Sequence, residues 1–92
     1  MAQTVHKDKD AILDYQFDWS PWLDTDTITA STWIVPTGIT NEGESFSADS
    51  TLIWLSGGVT GETYEVVNRI TTTGTSRPRI DDRTLTVGIV EK

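Results

Sequence analysis

Apolar and polar residues alternate along most of this chain with a period of two. The clearest stretch covers residues 13–20, where four apolar residues alternate with four polar ones. Alternation with this period places the apolar side chains on one face of a β-strand. A helix over the same residues would leave Leu13 and Phe17 outside its apolar face, and Pro21 would lie near its end. The pattern therefore predicts a strand.

Further stretches of alternating or apolar residues follow at spacings typical of hairpins. They cover residues 27–35, 39–47, 51–55, 62–73 and 83–90. Glycine and proline separate them, and no stretch has the pattern of a convincing helix. Thr, Val and Ile supply 31 of the 92 residues, and such β-branched side chains favour strands. We therefore predict an all-β fold, an immunoglobulin-like antiparallel β-sandwich of about six to seven strands, with a small barrel as the alternative.

Three positions within these stretches carry more specific predictions. Asn41–Glu44 interrupts its stretch and is predicted to be a turn, with Gly43 at positive φ. Tyr64 follows a glycine-rich turn, so its hydroxyl either anchors that turn, as at the corner of an immunoglobulin-like fold, or its ring is simply part of the core. Trp54 lies within the apolar run 51–55, which predicts that it is buried.

A chain of 92 residues has room for one domain. The polar start of the chain predicts a flexible N-terminal arm over residues 1–10, followed by the sandwich over residues 11–92. No apolar run has the roughly 20 residues of a membrane span, and the N-terminus lacks the apolar stretch of a signal peptide. We expect a soluble, unprocessed chain that does not contact a membrane.

The chain is acidic, with 14 Asp and Glu against 7 Lys and Arg and a formal net charge of -7. This balance opposes binding to nucleic acid, where Lys and Arg replace condensed counterions. Six Asp lie between Asp8 and Asp26, whereas four of the seven bases lie between Arg69 and Arg83. Identical subunits arranged head to tail would match these two patches. The simpler alternative is that the acids only solvate one end of the domain.

Residues that could carry catalysis or bind a metal are few. His6, the single histidine, lies in the polar arm, where nothing can orient it as a general base. The chain has no cysteine, which excludes thiolate metal sites and cysteine nucleophiles. Asp24 and Asp26 alternate as in calcium loops, but the remaining ligands of an EF-hand do not follow. The sequence therefore predicts no enzyme, no catalytic residue, no metal site, no cofactor and no small-molecule substrate.

Six residues are the best candidates for contact with other proteins. Aromatic residues near strand ends more often mark a protein interface than a sugar site, and arginines in an exposed polar loop carry charge that fixes the register of subunits. The candidates are Trp19, Trp22, Trp33, Arg77, Arg79 and Arg83. The tryptophans could instead form a sugar-stacking platform, as in carbohydrate-binding β-sandwiches.

Several segments of the chain, taken in order, resemble a known family. The first two read HKDKDAILDY and FDWSPWL, and the later ones are residues 26–28, 31–33, 54–58, 61–64, 68–72 and 82–85. Together they resemble the fibre-tail adaptors of tailed bacteriophages, over about residues 6–92. The family's loop before the last strand usually reads Gly-Arg, an acid and then Asp-Arg, whereas residues 75–80 form an expanded version here.

The resemblance implies a non-enzymatic component of a phage virion, made in the cytoplasm of the bacterial host and assembled at the tail or neck. It further implies an immunoglobulin-like module repeated in a ring, with other virion proteins of the tail, neck, collar and fibres as its partners. Two other roles stay open at this point. A carbohydrate-binding module would expose a coplanar pair of tryptophans, and a capsid-decorating protein would contact the capsid rather than the tail.

Overall fold

Seven β-strands and one helical turn are present in the computed structural model, which describes residues 2–23, 25–74 and 78–91. The elements are β1 (Ala2–Asp8), β2 (Leu13–Asp18), α1 (Ser20–Leu23), β3 (Ile28–Ile34), β4 (Ile39–Phe46), β5 (Ser50–Gly57), β6 (Thr63–Thr72) and β7 (Ile80–Val90). The prediction of an all-β fold is confirmed. Within these ranges the only helix is the four-residue α1, which is too short to span a bilayer.

The strands form two sheets that pack as a sandwich. One sheet has the order β1-β7-β6-β3 and the other has the order β2-β5-β4. All neighbouring strands are antiparallel except β1 and β7, which are parallel. In the lettering of immunoglobulin domains, β2-β5-β4 correspond to strands B, E and D, and β3-β6-β7 correspond to strands C, F and G. The predicted immunoglobulin-like sandwich is therefore confirmed.

The core lies between the two sheets and takes its side chains from alternate positions. In β5, Thr51, Ile53 and Leu55 are fully buried, whereas Leu52 and Trp54 lie on the opposite face. Trp54 is 43% exposed, so the prediction that it is buried is wrong. A continuous apolar run is buried on both sides only when both faces of its sheet are covered. The exposure of Trp54 shows that the outer face of β2-β5-β4 is open.

Tyr64 fixes the corner between β5 and β6. The amide of Val59 donates a hydrogen bond to the Tyr64 hydroxyl at 3.1 Å, which confirms that this hydroxyl anchors the turn. The ring lies against Gly38, where an added Cβ would come within 2.9 Å of Tyr64 Cε1. Gly38 also has a φ of 106°, a conformation that favours glycine. The turn between β3 and β4 and the turn between β5 and β6 are thus held together by one tyrosine.

Residues 2–8 form strand β1 and not the flexible arm that the sequence predicts. β1 pairs with β7 along its whole length. Lys7 is fully buried, and its Nζ donates to the carbonyl oxygens of Asp8 at 2.8 Å and of Gly57 at 2.9 Å. A polar segment can complete a sheet because the hydrogen bonds of the backbone require no apolar side chains. The arm is corrected to a strand over these residues, while the domain boundary after residue 10 stays a prediction.

The segment Asn41–Glu44 lies within β4 and is not the turn that the sequence predicts. The register with β5 shifts between Asn41 and Gly43, so the strand bulges at this point. Gly43 has the positive φ that the sequence predicts, 152°, and its amide donates to Asn41 Oδ1 at 2.8 Å. Glycine and asparagine serve bulges as well as turns, which is why residue type alone does not separate the two.

Candidate protein interface

Four of the six candidate interface residues meet at the end of the sandwich where β2 leads into β3 and β6 leads into β7. The helical turn α1 follows β2 there, although the sequence predicts no helix. Asp18 holds its start, because Asp18 Oδ1 accepts hydrogen bonds from the Ser20 amide at 3.0 Å and the Ser20 hydroxyl at 2.7 Å. Pro21 lies in the first turn, where its missing N–H has no helical partner to lose. The turn places Trp19 and Trp22 at this end of the molecule.

Two arginines stack on these tryptophans. The guanidinium carbon of Arg79 lies 4.2 Å from the ring centroid of Trp22, and that of Arg83 lies 4.1 Å from the ring centroid of Trp19. Both distances are within the range of cation–π contacts. We call these four residues the Trp–Arg cluster. The structure thus brings four of the six candidate residues together, but it does so within one subunit.

Arg79 also connects the segment before β7 to the acidic part of the chain. Its Nε donates to Asp26 Oδ2 at 2.9 Å, and its Nη2 donates to the Leu23 carbonyl at 3.0 Å. The side chain of Asp26 is only 10% exposed, and its Oδ2 also accepts a hydrogen bond from Thr72 Oγ1 at 3.1 Å. The charge match that the sequence suggested between subunits is therefore made here within one chain.

Arg83 makes a second connection, between β7 and the end of β2. Its Nη1 donates to the Asp18 carbonyl at 2.8 Å. The hydroxyl and amide of Ser20, together with the nearby Arg83 charge, hold the pKa of the Asp18 carboxyl below its usual value. The two arginines of the cluster thus bind one backbone carbonyl before α1 and one at its last residue, which fixes this turn against the four-stranded sheet.

Trp19 and Trp33 are core residues, which corrects the prediction that they are surface aromatic residues of an interface. Trp19 is fully buried, and its Nε1 donates to Asn68 Oδ1 at 3.0 Å. Trp33 is 7% exposed and stacks on Phe17 with the ring centroids 5.7 Å apart. Polar residues beside Trp33 suggested an outward face, but Asn68, its partner on β6, is itself buried and hydrogen-bonded. Polar side chains are buried readily when their hydrogen bonds are satisfied.

The other candidate residues retain surface or lie outside the described part. Trp22 is partly buried against the core, and the Arg79 side chain is 43% exposed. Arg77 lies outside the described residues, and so does Asp24 of the calcium hypothesis. A role of the Trp–Arg cluster in contacts between proteins stays a prediction.

The described ranges contain no group of three His, Cys, Asp or Glu side chains placed to hold a metal ion. Asp26, the second acid of the calcium hypothesis, already accepts hydrogen bonds from Arg79 and Thr72. His6 lies in β1, opposite Gly88 of β7. Its ring lies beside the backbone of Gly88, since an added Cβ there would be 3.2 Å from His6 Cδ2.

Trp54, which the sequence predicts to be buried, is exposed on the three-stranded sheet. Trp54 lies on the outer face of β2-β5-β4, between Asp14 on β2 and Gly43 on β4. Glu42 is held on the same face by a hydrogen bond from the Ser56 hydroxyl. We call this surface the Trp54 face, and its members are Asp14, Gln16, Asp18, Glu42, Leu52 and Trp54. The sequence gives no signal for this exposure, because the run 51–55 is also apolar at its two outward positions, Leu52 and Trp54.

The strand order defines a small immunoglobulin-like module, and those candidate residues that the structure describes take part in its own packing. Its family follows from a comparison with known proteins. The family model described as podophage GP4 fiber-tail adaptor protein gp77 matches residues 7–88. The chain belongs to this family, which confirms the resemblance in its sequence and gives it a structural role in a phage tail. No curated protein matches the chain.

Proposed function

We propose that this protein is a non-enzymatic adaptor that joins the tail or neck of a phage virion to its fibres or collar through protein–protein contacts. The observation that carries the proposal is the family match over residues 7–88. The match begins in β1 and ends in β7, so it covers almost the whole sandwich and not an isolated motif.

The surface of the sandwich supports an adaptor because apolar side chains are exposed on both of its outer faces. Trp54 lies on the outer face of the three-stranded sheet and is 43% exposed. Ile34 of β3 and Ile80 of β7 belong to the four-stranded sheet and are 47% and 66% exposed. A protein that connects two neighbours needs contact surfaces on different sides, and such apolar positions are where interface contacts gain most from leaving water.

A ring of identical copies is part of the proposal. Copies related by rotation contact each other through two different surfaces, and such head-to-tail contacts close into a ring when the rotation permits. Arg79 and Asp26 form an ion pair within one chain, so this pair of charges does not join neighbouring copies. The contacts between copies therefore rest on other surfaces, for which the outer face of the four-stranded sheet and edge strands such as β3 and β4 are available in the described fold.

The test is to delete the gene from the phage, supply the protein from a plasmid and examine purified particles. We expect the protein in several copies per particle, with its density at the tail or neck by electron microscopy. Particles made without it should lack fibres. Absence of the protein from purified particles would contradict the proposal, as would normal fibres on particles that lack it. Density on the capsid shell would favour the capsid-decorating alternative instead.

A further inference from the structure

We propose that the Trp54 face binds a basic surface of a different virion protein, which places an arginine or lysine against the indole of Trp54. This inference rests on the proposed adaptor function and specifies the chemistry of one of its partners. It concerns a surface that is distinct from the Trp–Arg cluster, because Trp54 lies on the outer face of the three-stranded sheet.

The geometry leaves Trp54 accessible from the side of β4. Gly43 is opposite Trp54 in the register, and a Cβ added at Gly43 would meet no atom within 4 Å. The bulge in β4 therefore puts a residue without a side chain beside the exposed indole. On the other side Asp14 is the cross-strand partner of Trp54, so its carboxylate belongs to the same face. An incoming side chain can thus contact the ring and a carboxylate together.

The charge of this sheet determines which partner fits. β2, β4 and β5 contain the carboxylates Asp14, Asp18, Glu42 and Glu44 and no lysine or arginine. Within the described ranges, neither Asp14 nor Glu42 forms an ion pair. A basic partner would meet complementary charge here, whereas an acidic or apolar partner would leave carboxylates desolvated without a cation. A cation placed over a tryptophan ring gains further stabilisation from the ring itself.

A second copy of this chain is a poor occupant because its described basic side chains are already engaged. Of its lysines, Lys7 is buried and Lys9 lies 3.9 Å from Asp10. Arg69 forms two hydrogen bonds with Asp82, at 2.9 and 3.1 Å. Arg79 is paired with Asp26, and Arg83 lies over Trp19. To present Arg79 or Arg83 to Trp54, a neighbouring copy would have to break contacts that hold its own fold, and Arg69 would have to leave its pair with Asp82. A partner with an unengaged basic surface has no such cost.

The first experiment measures incorporation of variants into particles of the deletion phage supplied from a plasmid. We expect Trp54→Ser and Asp14→Lys each to lower incorporation by about tenfold or more, as for anchor residues of an interface. Val59→Ser and Glu65→Lys are the matched controls, since both residues are exposed and lie away from this face. The controls should incorporate like the parent. If both Trp54→Ser and Asp14→Lys melt and incorporate like the parent, the inference is overturned.

The second experiment identifies the occupant in intact particles. A photo-crosslinking amino acid replaces Gln16, which is exposed on the same face, and the crosslinked peptides are identified by mass spectrometry. A crosslink to a lysine- or arginine-rich segment of another virion protein supports the inference. A crosslink to a second copy, or none in particles that contain the chain, overturns it. If the parent chain itself is absent from particles, the result contradicts the proposed adaptor function and not only the inference about the Trp54 face.

A sugar is the remaining occupant to test, because exposed tryptophans also stack on sugars. The purified chain is titrated with oligosaccharides from the host cell surface while tryptophan fluorescence is recorded. The inference expects no saturable change. A saturable change in the parent that disappears in Trp54→Ser would overturn it in favour of carbohydrate binding.

Discussion

Arg79 and Asp26 lie 53 positions apart in the sequence and form an ion pair, with Arg79 Nε 2.9 Å from Asp26 Oδ2. The carboxylate is nearly buried, so it depends on this arginine and on Thr72 for its hydrogen bonds. The pair joins the segment after α1 to the segment before β7. It explains why a cluster of aromatic and basic residues that resembles an interface in the sequence closes one end of the sandwich instead.

We expect Arg79→Ala to lower the free energy of unfolding by about 1–3 kcal/mol, because a nearly buried carboxylate loses its cation. Urea unfolding followed by tryptophan fluorescence measures the change. Arg69→Ala is the matched control. Arg69 pairs with Asp82 at 2.9 Å, but both side chains are exposed, so its loss should lower the free energy of unfolding less than the loss of Arg79 does. Equal losses in the two variants would contradict a structural role that is special to Arg79.

Tyr64→Phe should lower the free energy of unfolding by about 0.5–1.5 kcal/mol, since the Val59 amide loses its acceptor. Tyr15→Phe also removes a tyrosine hydroxyl, but this one is buried and has no hydrogen-bond partner among the described groups. This second change should be neutral or stabilising, because a buried hydroxyl without a partner is unfavourable. Thermal unfolding of both variants checks the contrast. No loss of stability in Tyr64→Phe would show that the corner is not held by this hydroxyl.

Truncation of a core tryptophan and of a surface tryptophan should change stability by different amounts. Trp33→Ala should destabilise the fold by about 3–5 kcal/mol, because it leaves a cavity beside Phe17 in the core. Trp54→Ala should cost less than about 1 kcal/mol, since much of its ring is already in water. Denaturant midpoints measure both. Similar losses would mean that Trp54 is packed in the core after all.

Lys7→Ala should loosen β1 from the sheet. The buried ammonium of Lys7 binds the carbonyls of Asp8 and Gly57, and burial lowers its pKa. Without it, amide hydrogen exchange in β1 should become roughly tenfold faster or more, while exchange in β6 changes less. Lys9→Ala is the control, because the Lys9 side chain is 42% exposed. Unchanged exchange in β1 of Lys7→Ala would show that pairing with β7 alone holds this strand.

Stability should decrease as the pH falls below about 4. Hydrogen bonds from Arg69 hold the pKa of Asp82 below its ordinary value of 3.8, and those from Ser20 do the same for Asp18. Because the folded pKa values are lowered, the unfolded chain takes up protons first as the pH falls through 3.8. The stability that both groups contribute is thus present above that pH and lost below it. Urea midpoints between about pH 6 and pH 2.5 check this, and Asp82→Asn should flatten the curve.

The sequence by itself determined most of the strands and pointed to the corner at Tyr64. The alternation in residues 13–20 and 62–73 predicts β2 and β6, because successive side chains of a strand point to opposite faces. The spacing between the glycine-rich turn and Tyr64 offered an anchored corner as one of two roles for this residue, and the hydrogen bond from the Val59 amide decided for it. Both features depend on residues that are close together in the chain, so a local pattern is sufficient to indicate them.

Only the tertiary structure decided which faces are covered and which charges meet. The apolar run 51–55 could not show that Trp54 lies on an open face, because burial depends on what packs against a sheet. The polar residues 2–8 could not reveal a strand whose partner is β7, at the other end of the chain. The pairing of Arg79 with Asp26 was likewise not predictable, because the two residues lie 53 positions apart in the sequence. Local periodicity describes neighbours along the chain, whereas burial and ion pairing are set by segments that only the fold brings together.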